Sequence, residues 1–274
     1  MSVNAWLSEL IAHGRSESSV KTYRSMLSIA KKTLDEIGVG MNAAKIDTEI
    51  IHRMIPLIEA KEDSKRQILR TLGSWIEWET GKNPFKDAKI LWNKADKKRT
   101  FIDESVLDAA LRESAPRERL IILLGAKMGL RCVEISRITM SDLTAERLVI
   151  RGKGHQDGKI VSAIIPPSVR DALDKWLPIR EKFENGSSDA LILTIKGTGI
   201  SPGSIQEIFC DLSERIGVKI TPHSLRRLFA MTLYRKHNVD LLDVSRLMRH
   251  ESISTTQLYI REDKELLDKI AFSI

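Results

Sequence analysis

The sequence predicts a mostly α-helical chain with a small β-sheet, divided into an all-helical N-terminal domain and an α+β C-terminal domain. Three observations lead there. Residues 1–92 hold four stretches with apolar residues at helical spacing. One pair of β-branched runs, 148–151 and 159–165, flanks the glycine-rich turn GKGHQDG, the pattern of a hairpin. Between the domains lies NKADKKRT (93–100), a basic linker without an apolar pattern. A length of 274 residues suits one large or two ordinary domains.

The first domain is read from its punctuation. Residues 5–12 carry Trp6, Leu7, Leu10 and Ile11 on one side. Ser18 or Ser19 can cap a second helix, with Tyr23, Met26, Leu27, Ala30 and Leu34 along one face and an end near Gly38 and Gly40. Residues 47–60 give a third helix with Pro56 as a kink point. Residues 64–78 give a fourth, with Ile68, Leu72, Trp75 and Ile76 inward and Lys65, Arg66 and Arg70 outward; Gly81 and Pro84 stop it.

The second domain, 101–274, begins with a helix capped by Asp103 and running through Val106, Leu107, Ala110 and Leu111. Residues 117–128 are strongly apolar on one side (Leu120, Ile121, Leu123, Leu124) and read as a core helix. Gly129 ends it, and Arg131 opens the next turn with Glu134 three residues on. After the hairpin, Pro167 opens a helix through Val169, Leu173 and Trp176, and residues 202–216 form another that ends at Gly217. Residues 224–237, behind Pro222, carry Leu225, Leu228, Phe229, Thr232 and Leu233 at helical spacing, with Tyr234 read as packing, and residues 241–248 form a further helix. Residues 261–274 carry Leu266, Leu267, Ile270, Ala271 and Phe272, a short amphipathic tail helix.

Composition narrows the function. The chain has 44 Lys and Arg against 37 Asp and Glu, and about five of the seven excess positive charges precede residue 100. A polyanionic partner fits this balance, with the N-terminal part gripping backbone phosphates. Arg15, Lys21, Arg24, Lys65, Arg66, Arg70 and the linker residues Lys97, Lys98 and Arg99 are candidate contacts. The two cysteines, Cys132 and Cys210, form neither a disulfide framework nor a zinc motif, and a reducing cytoplasm suits them. No apolar run is long enough for a membrane span, and the N-terminus is not a signal peptide.

The stretch from Thr221 to Ile260 carries the chemistry. His223 and Arg226 are three apart, so one helix face can present both. His250 follows the second helix, and Tyr259 comes nine residues later. A tyrosine, two histidines and an arginine in a basic protein suggest nucleophilic attack on a phosphodiester, because a tyrosine needs a positioned target and a stabilised developing charge. Arginine supplies that charge through a planar fork matched to phosphate oxygens.

The boxes HSLR, LMRH and TTQLY, with GLRCVE around Arg131, resemble the tyrosine recombinases, the phage-integrase and Xer group. The specific resemblance covers about residues 125 to 262; the N-terminal third is compatible with the family's four-helix, SAM-like core-binding domain, loosely matched by SSVKTYRSML. The resemblance implies a clamp around double-stranded DNA. Tyr259 would form a 3′-phosphotyrosyl bond, Arg131 and Arg226 would hold the non-bridging oxygens, and His223 would assist proton transfer. His250 would hydrogen-bond a phosphate oxygen. A lysine of the hairpin turn, Lys153 with Lys159 as runner-up, would protonate the leaving oxygen, and Glu134 would hold the Arg131 turn. No metal or cofactor is implied. One departure stands out: Arg249 precedes His250 where the family usually has glycine.

The leading expectation is therefore a cytoplasmic, nucleoid-associated site-specific recombinase that pairs two duplexes with four protomers. It would act at an inverted-repeat site, with the tail docking on a neighbouring subunit and an accessory protein left open. Xer-like dimer resolution and mobile-element integration fit equally. The alternatives are a type IB topoisomerase-like nicking and resealing enzyme, and a non-cleaving DNA-binding regulator on the same scaffold.

Overall fold

The computed structural model describes residues 2–88, 90, 102–152, 160–250 and 252–261. The chain divides into two compact units, Met1–Lys98 and Arg99–Ile274. The expected linker with Lys97, Lys98 and Arg99, the hairpin turn with Lys153 and Lys159, and the tail from 262 all lie outside the described residues. Among those described, no helix is long and apolar enough to cross a membrane.

The first unit is helical: α1 (Val3–Ala12), α2 (Glu17–Glu36), α3 (Thr48–Leu57), α4 (Glu62–Thr80) and the single turn α5 (Pro84–Asp87). Its core gathers Trp6, Leu7, Leu27, Ala30, Leu34, Ile51, Met54, Ile68, Leu72, Trp75 and Ile76. Three expectations need correction. The cap of α2 is Ser16, whose hydroxyl accepts the Ser19 N–H at 3.3 Å, so Ser18 and Ser19 lie inside the first turn. Pro56 sits in the last turn of α3, which ends at Leu57 instead of bending and continuing to 60. Pro84 does not simply follow a stop; it starts α5 behind the Asn83 cap.

The second unit contains α6 (Glu104–Arg112), α7 (Pro116–Met128), α8 (Cys132–Ser136), β1 (Arg147–Arg151), β2 (Ile160–Ile164), α9 (Pro167–Glu181), α10 (Pro202–Ile216), α11 (Pro222–Lys236), α12 (Leu241–Leu247) and α13 (Ile253–Arg261). The strands pair antiparallel with Val149 opposite Ser162. Helix α7 is the centre. It is enclosed on more than one side, with Leu120 to Leu124 all buried and Lys127 exposed, because α9 and α11 pack against it. Gly125 permits the close approach of α11: a Cβ there would lie 3.3 Å from the Cβ of Leu225. Residues 252–256, hydroxyl-rich in sequence, belong largely to α13, and Thr256 is fully buried.

Helix α11 departs from its expected apolar stripe. Leu225 is buried, but Leu228, Phe229, Thr232 and Leu233 are only half-buried. Arg226, Arg227, Ala230 and Met231 form the rest of the enclosed face. Ala230 and Met231 join Val244, Met248 and Tyr259 in a small apolar cluster, with Tyr234 packed against it as expected.

Candidate active site

The site forms where three chain segments meet beside the C-terminal end of α7. Gly129 caps that helix in the left-handed region, at φ 62°. A Cβ there would lie 2.5 Å from Cδ1 of Phe229, so the turn depends on glycine. The turn delivers Arg131 to the cap of α8. Glu134 accepts the Arg131 backbone N–H at 2.9 Å and its guanidinium at 2.6 Å. Glu134 is almost fully buried, at 1% exposure, while a third of the Arg131 side chain is exposed.

The second segment is the start of α11. The Thr221 hydroxyl accepts the Ser224 N–H at 3.0 Å, and Pro222 occupies the first helical position. This sets Arg226 inward, where its guanidinium donates to the carbonyls of Gly129 and Met248 and lies 3.6 Å from Glu134. Arg226 is therefore a buried hub and not a solvated helix face. Burial first, and the Arg131 charge second, lower its pKa to about 10, so it stays protonated at neutral pH.

The third segment runs from the end of α12 into α13. Arg249 adopts φ 54°, the left-handed conformation that a glycine would take. Its buried side chain donates to the Gly129 carbonyl at 3.0 Å and to Glu134 at 3.3 Å. Glu134 thus meets three guanidiniums. Burial alone would raise its carboxyl, but Arg249, the Arg131 N–H, Arg226 and the Arg131 guanidinium outweigh burial and hold it below its ordinary value. Next to this, His250 Nδ1 lies 2.7 Å from the Thr256 hydroxyl. Burial, then Arg226 and Arg131, push the imidazole down to about 4, so His250 is neutral at physiological pH.

Tyr259 completes the arrangement. Its ring is 4% exposed and edge-on to both histidines, with centroids 5.7 Å from His223 and 5.8 Å from His250. The Arg227 guanidinium lies over it at 5.3 Å. The structure therefore brings together Arg131, Glu134, Arg226, His250, His223 and Tyr259. Sequence reasoning did not find the parts of Arg227, Arg249 and Thr256. Thr256 did carry a signal, since it stands three residues before Tyr259 on one helix.

The candidate phosphate contacts of the first unit belong to its own surface. Arg15, Lys21, Arg24 and Arg70 are exposed. Lys65 and Arg66 are half-buried rather than outward, and Lys65 is engaged with the Ile55 carbonyl at 3.1 Å. Arg24 donates to Asn4 at 2.9 Å. Lys21 lines a groove between α2 and α4 with Ser18, Thr22, Ser25 and Gln67.

The Phage integrase family matches residues 100–265. The chain belongs to that family. This tyrosine recombinase is 28% identical to the tyrosine recombinase XerC of Pseudomonas fluorescens over 92% of its own length and 89% of the relative's. It is 27% identical to the tyrosine recombinase XerA of Pyrococcus furiosus over 90% of this chain and 85% of that one. A lambda integrase (residues 75–356) dimer bound to a core site shares the fold, with a TM-score of 0.73 at 20% identity over 94% of this chain and 93% of that one. As a member of the family the recombinase cleaves and rejoins DNA site-specifically by transesterification. The mostly helical fold with one small hairpin is that of the family's catalytic domain.

Proposed function

We propose that Tyr259 is the nucleophile of this recombinase and that Arg131 and Arg226 hold the scissile phosphate. The observation that supports this most is the packing of the Tyr259 ring against His223, His250 and Arg227, beside guanidiniums fixed on Glu134. The Tyr259 oxygen attacks phosphorus in line, the bond from phosphorus to the 5′ oxygen breaks, and a 3′-phosphotyrosyl ester and a 5′-hydroxyl result. That ester keeps the energy of the broken bond, so the returning 5′-hydroxyl reverses the step without ATP.

Each side chain contributes by its state. Arg131, partly exposed, faces the incoming phosphate, and Arg226 supports it from the interior. Charge grows on the non-bridging oxygens in the transition state, and one lost donor of this kind costs about 3 to 4 kcal/mol of barrier. His250 is neutral and tied to Thr256, which suits a hydrogen-bond donor to phosphate better than an acid. His223, exposed and beside the tyrosine, takes up its proton. Lys153 is the proposed general acid for the leaving oxygen.

The biological outcome we propose is Xer-like recombination at an inverted-repeat DNA site, in the cytoplasm on the nucleoid. Relatives named XerC and XerA that align along most of both chains support this over integration of a mobile element. In this reading the first unit is the SAM-like core-binding domain, joined by a basic linker, with Arg15, Lys21, Arg24 and Arg70 on backbone phosphates. Four protomers exchange strands between two duplexes. The test is covalent trapping: protein mixed with fragmented genomic and plasmid DNA, denatured, and the linked fragments sequenced. Linked fragments from wild type and none from Tyr259→Phe, with DNA binding kept, are expected. Linkage that survives in Tyr259→Phe overturns the assignment, and scattered sites in place of one inverted repeat favour topoisomerase-like nicking and resealing.

A further inference from the structure

Arg249 occupies a position where a smaller residue would serve the turn better. Its φ of 54° lies in the region that a side-chain Cβ opposes and glycine adopts freely. The side chain is nevertheless turned inward, 7% exposed, and held at four points. It donates to the carbonyls of Leu247 at 3.0 Å, Gly129 at 3.0 Å and Met128 at 3.3 Å, and to Oε2 of Glu134 at 3.3 Å. A buried charge in a strained turn needs a reason, and its carboxylate partner suggests one.

Glu134 already binds Arg131 at 2.6 Å and lies 3.6 Å from Arg226. With only those two guanidiniums, the carboxylate would cancel one of their two charges. The five-coordinate phosphorus of the transition state carries two negative charges on its non-bridging oxygens if the attacking tyrosine has lost its proton. Counted over the cluster on Glu134 alone, a net charge of one would meet only half of that. Arg249 changes the balance: three guanidiniums against one carboxylate leave two positive charges.

We propose that Arg249 is a positioning residue that acts through Glu134, neutralising the carboxylate so that Arg131 and Arg226 keep their full charge for the phosphate. It also grips the Gly129 carbonyl that Arg226 grips, so both arginines fix the turn that delivers Arg131. Arg249 is the first of the neighbours that lower the Glu134 carboxyl against burial, in line with this pairing. The inference rests on the proposed assignment of Arg131 and Arg226 to the scissile phosphate.

The test compares Arg249→Lys with Arg249→Met. Both keep a Cβ in the strained turn and an unbranched chain of similar length, and they differ in charge. Single-turnover covalent attachment is measured at saturating protein on the duplex that wild type recovers by trapping. It is measured again on the same duplex with a methylphosphonate at the scissile position, whose transition state carries one negative charge fewer. On the natural diester, Arg249→Met is expected to be slower than Arg249→Lys by about tenfold or more, less than the loss of a direct donor. On the methylphosphonate the gap is expected to close to within about threefold. A residue that only holds the fold would slow both substrates alike, so an equal gap on both overturns the proposal, as does no gap on the diester. If Arg249→Met does not fold, Arg249→Gly, free of the backbone strain, takes its place in the comparison. Wild type that forms no covalent link sinks the Tyr259 assignment and this proposal together, whereas variants that match an active wild type sink this proposal alone.

Discussion

Replacing His250 by glutamine should flatten the acid limb of the stability curve. In the folded chain the imidazole is pushed down to about 4, against an ordinary value of 6.5. Above about pH 6.5 the group is neutral in both states and its full contribution is present. As pH falls below that, the unfolded chain takes up a proton that the folded chain refuses, and stability declines until about pH 4, where the folded site is protonated too. At about 1.4 kcal/mol per unit, the gap corresponds to about 3 kcal/mol. His250 is only half-buried, and screening by solvent trims the expectation to about 2 kcal/mol. Glu134, with its carboxyl held low, adds a loss of its own at still lower pH in both proteins and cancels in the difference. Urea unfolding of wild type and His250→Gln across this range should show wild type losing about 2 kcal/mol more than the variant. Parallel curves, or an imidazole that titrates near 6.5 by NMR, would refute the reasoning.

Two other substitutions probe the supports of the site. Thr256→Val keeps shape and removes the hydroxyl 2.7 Å from His250 Nδ1; leaving a nitrogen unpaired there should cost about 1 to 3 kcal/mol in chemical denaturation, and an unchanged midpoint would show that this contact is idle. Gly129→Ala places a methyl against Phe229 in a left-handed turn and shifts the carbonyl that receives Arg226 and Arg249. It should lower stability by about 2 kcal/mol or more and slow covalent attachment as well, so a variant with normal melting and normal cleavage would contradict the role given to that carbonyl.

What was legible in the sequence was whatever a short window encodes. Asp103 and Pro222 fix helix starts, and Gly81, Gly129 and Gly217 fix helix ends, by chemistry confined to one turn. Ser16, Ser18 and Ser19 offer the same hydroxyl within four residues, and only the path of the chain after Gly14 selects Ser16. That α7 is a core helix was legible, but its second buried side is covered by a helix about a hundred residues downstream, which periodicity does not see. The same limit hid the electrostatics. Arg226 and Arg227 have the spacing of a solvated face, yet their partners are a carbonyl turn, a carboxylate and a tyrosine brought in from elsewhere. Arg249 was visible as a departure, but its direction depends on Glu134, which lies 115 residues away in sequence.

The two arginines proposed to hold the phosphate are not equivalent probes of the chemistry. Arg226 is 3% exposed, and its terminal nitrogens hold the carbonyls of Gly129 and Met248, so it ties α11 to both other segments of the site. Removing it leaves two carbonyls and part of a buried carboxylate uncompensated, and the resulting loss of rate would mix a displaced Arg131 and a displaced His250 with the missing charge. Arg131 is a third exposed and anchored on a Glu134 that two other guanidiniums also hold. The carboxylate keeps its place when Arg131 is shortened. In the proposed assignment a rate lost at Arg131 would therefore report on the phosphate itself, whereas a rate lost at Arg226 has first to be corrected for stability.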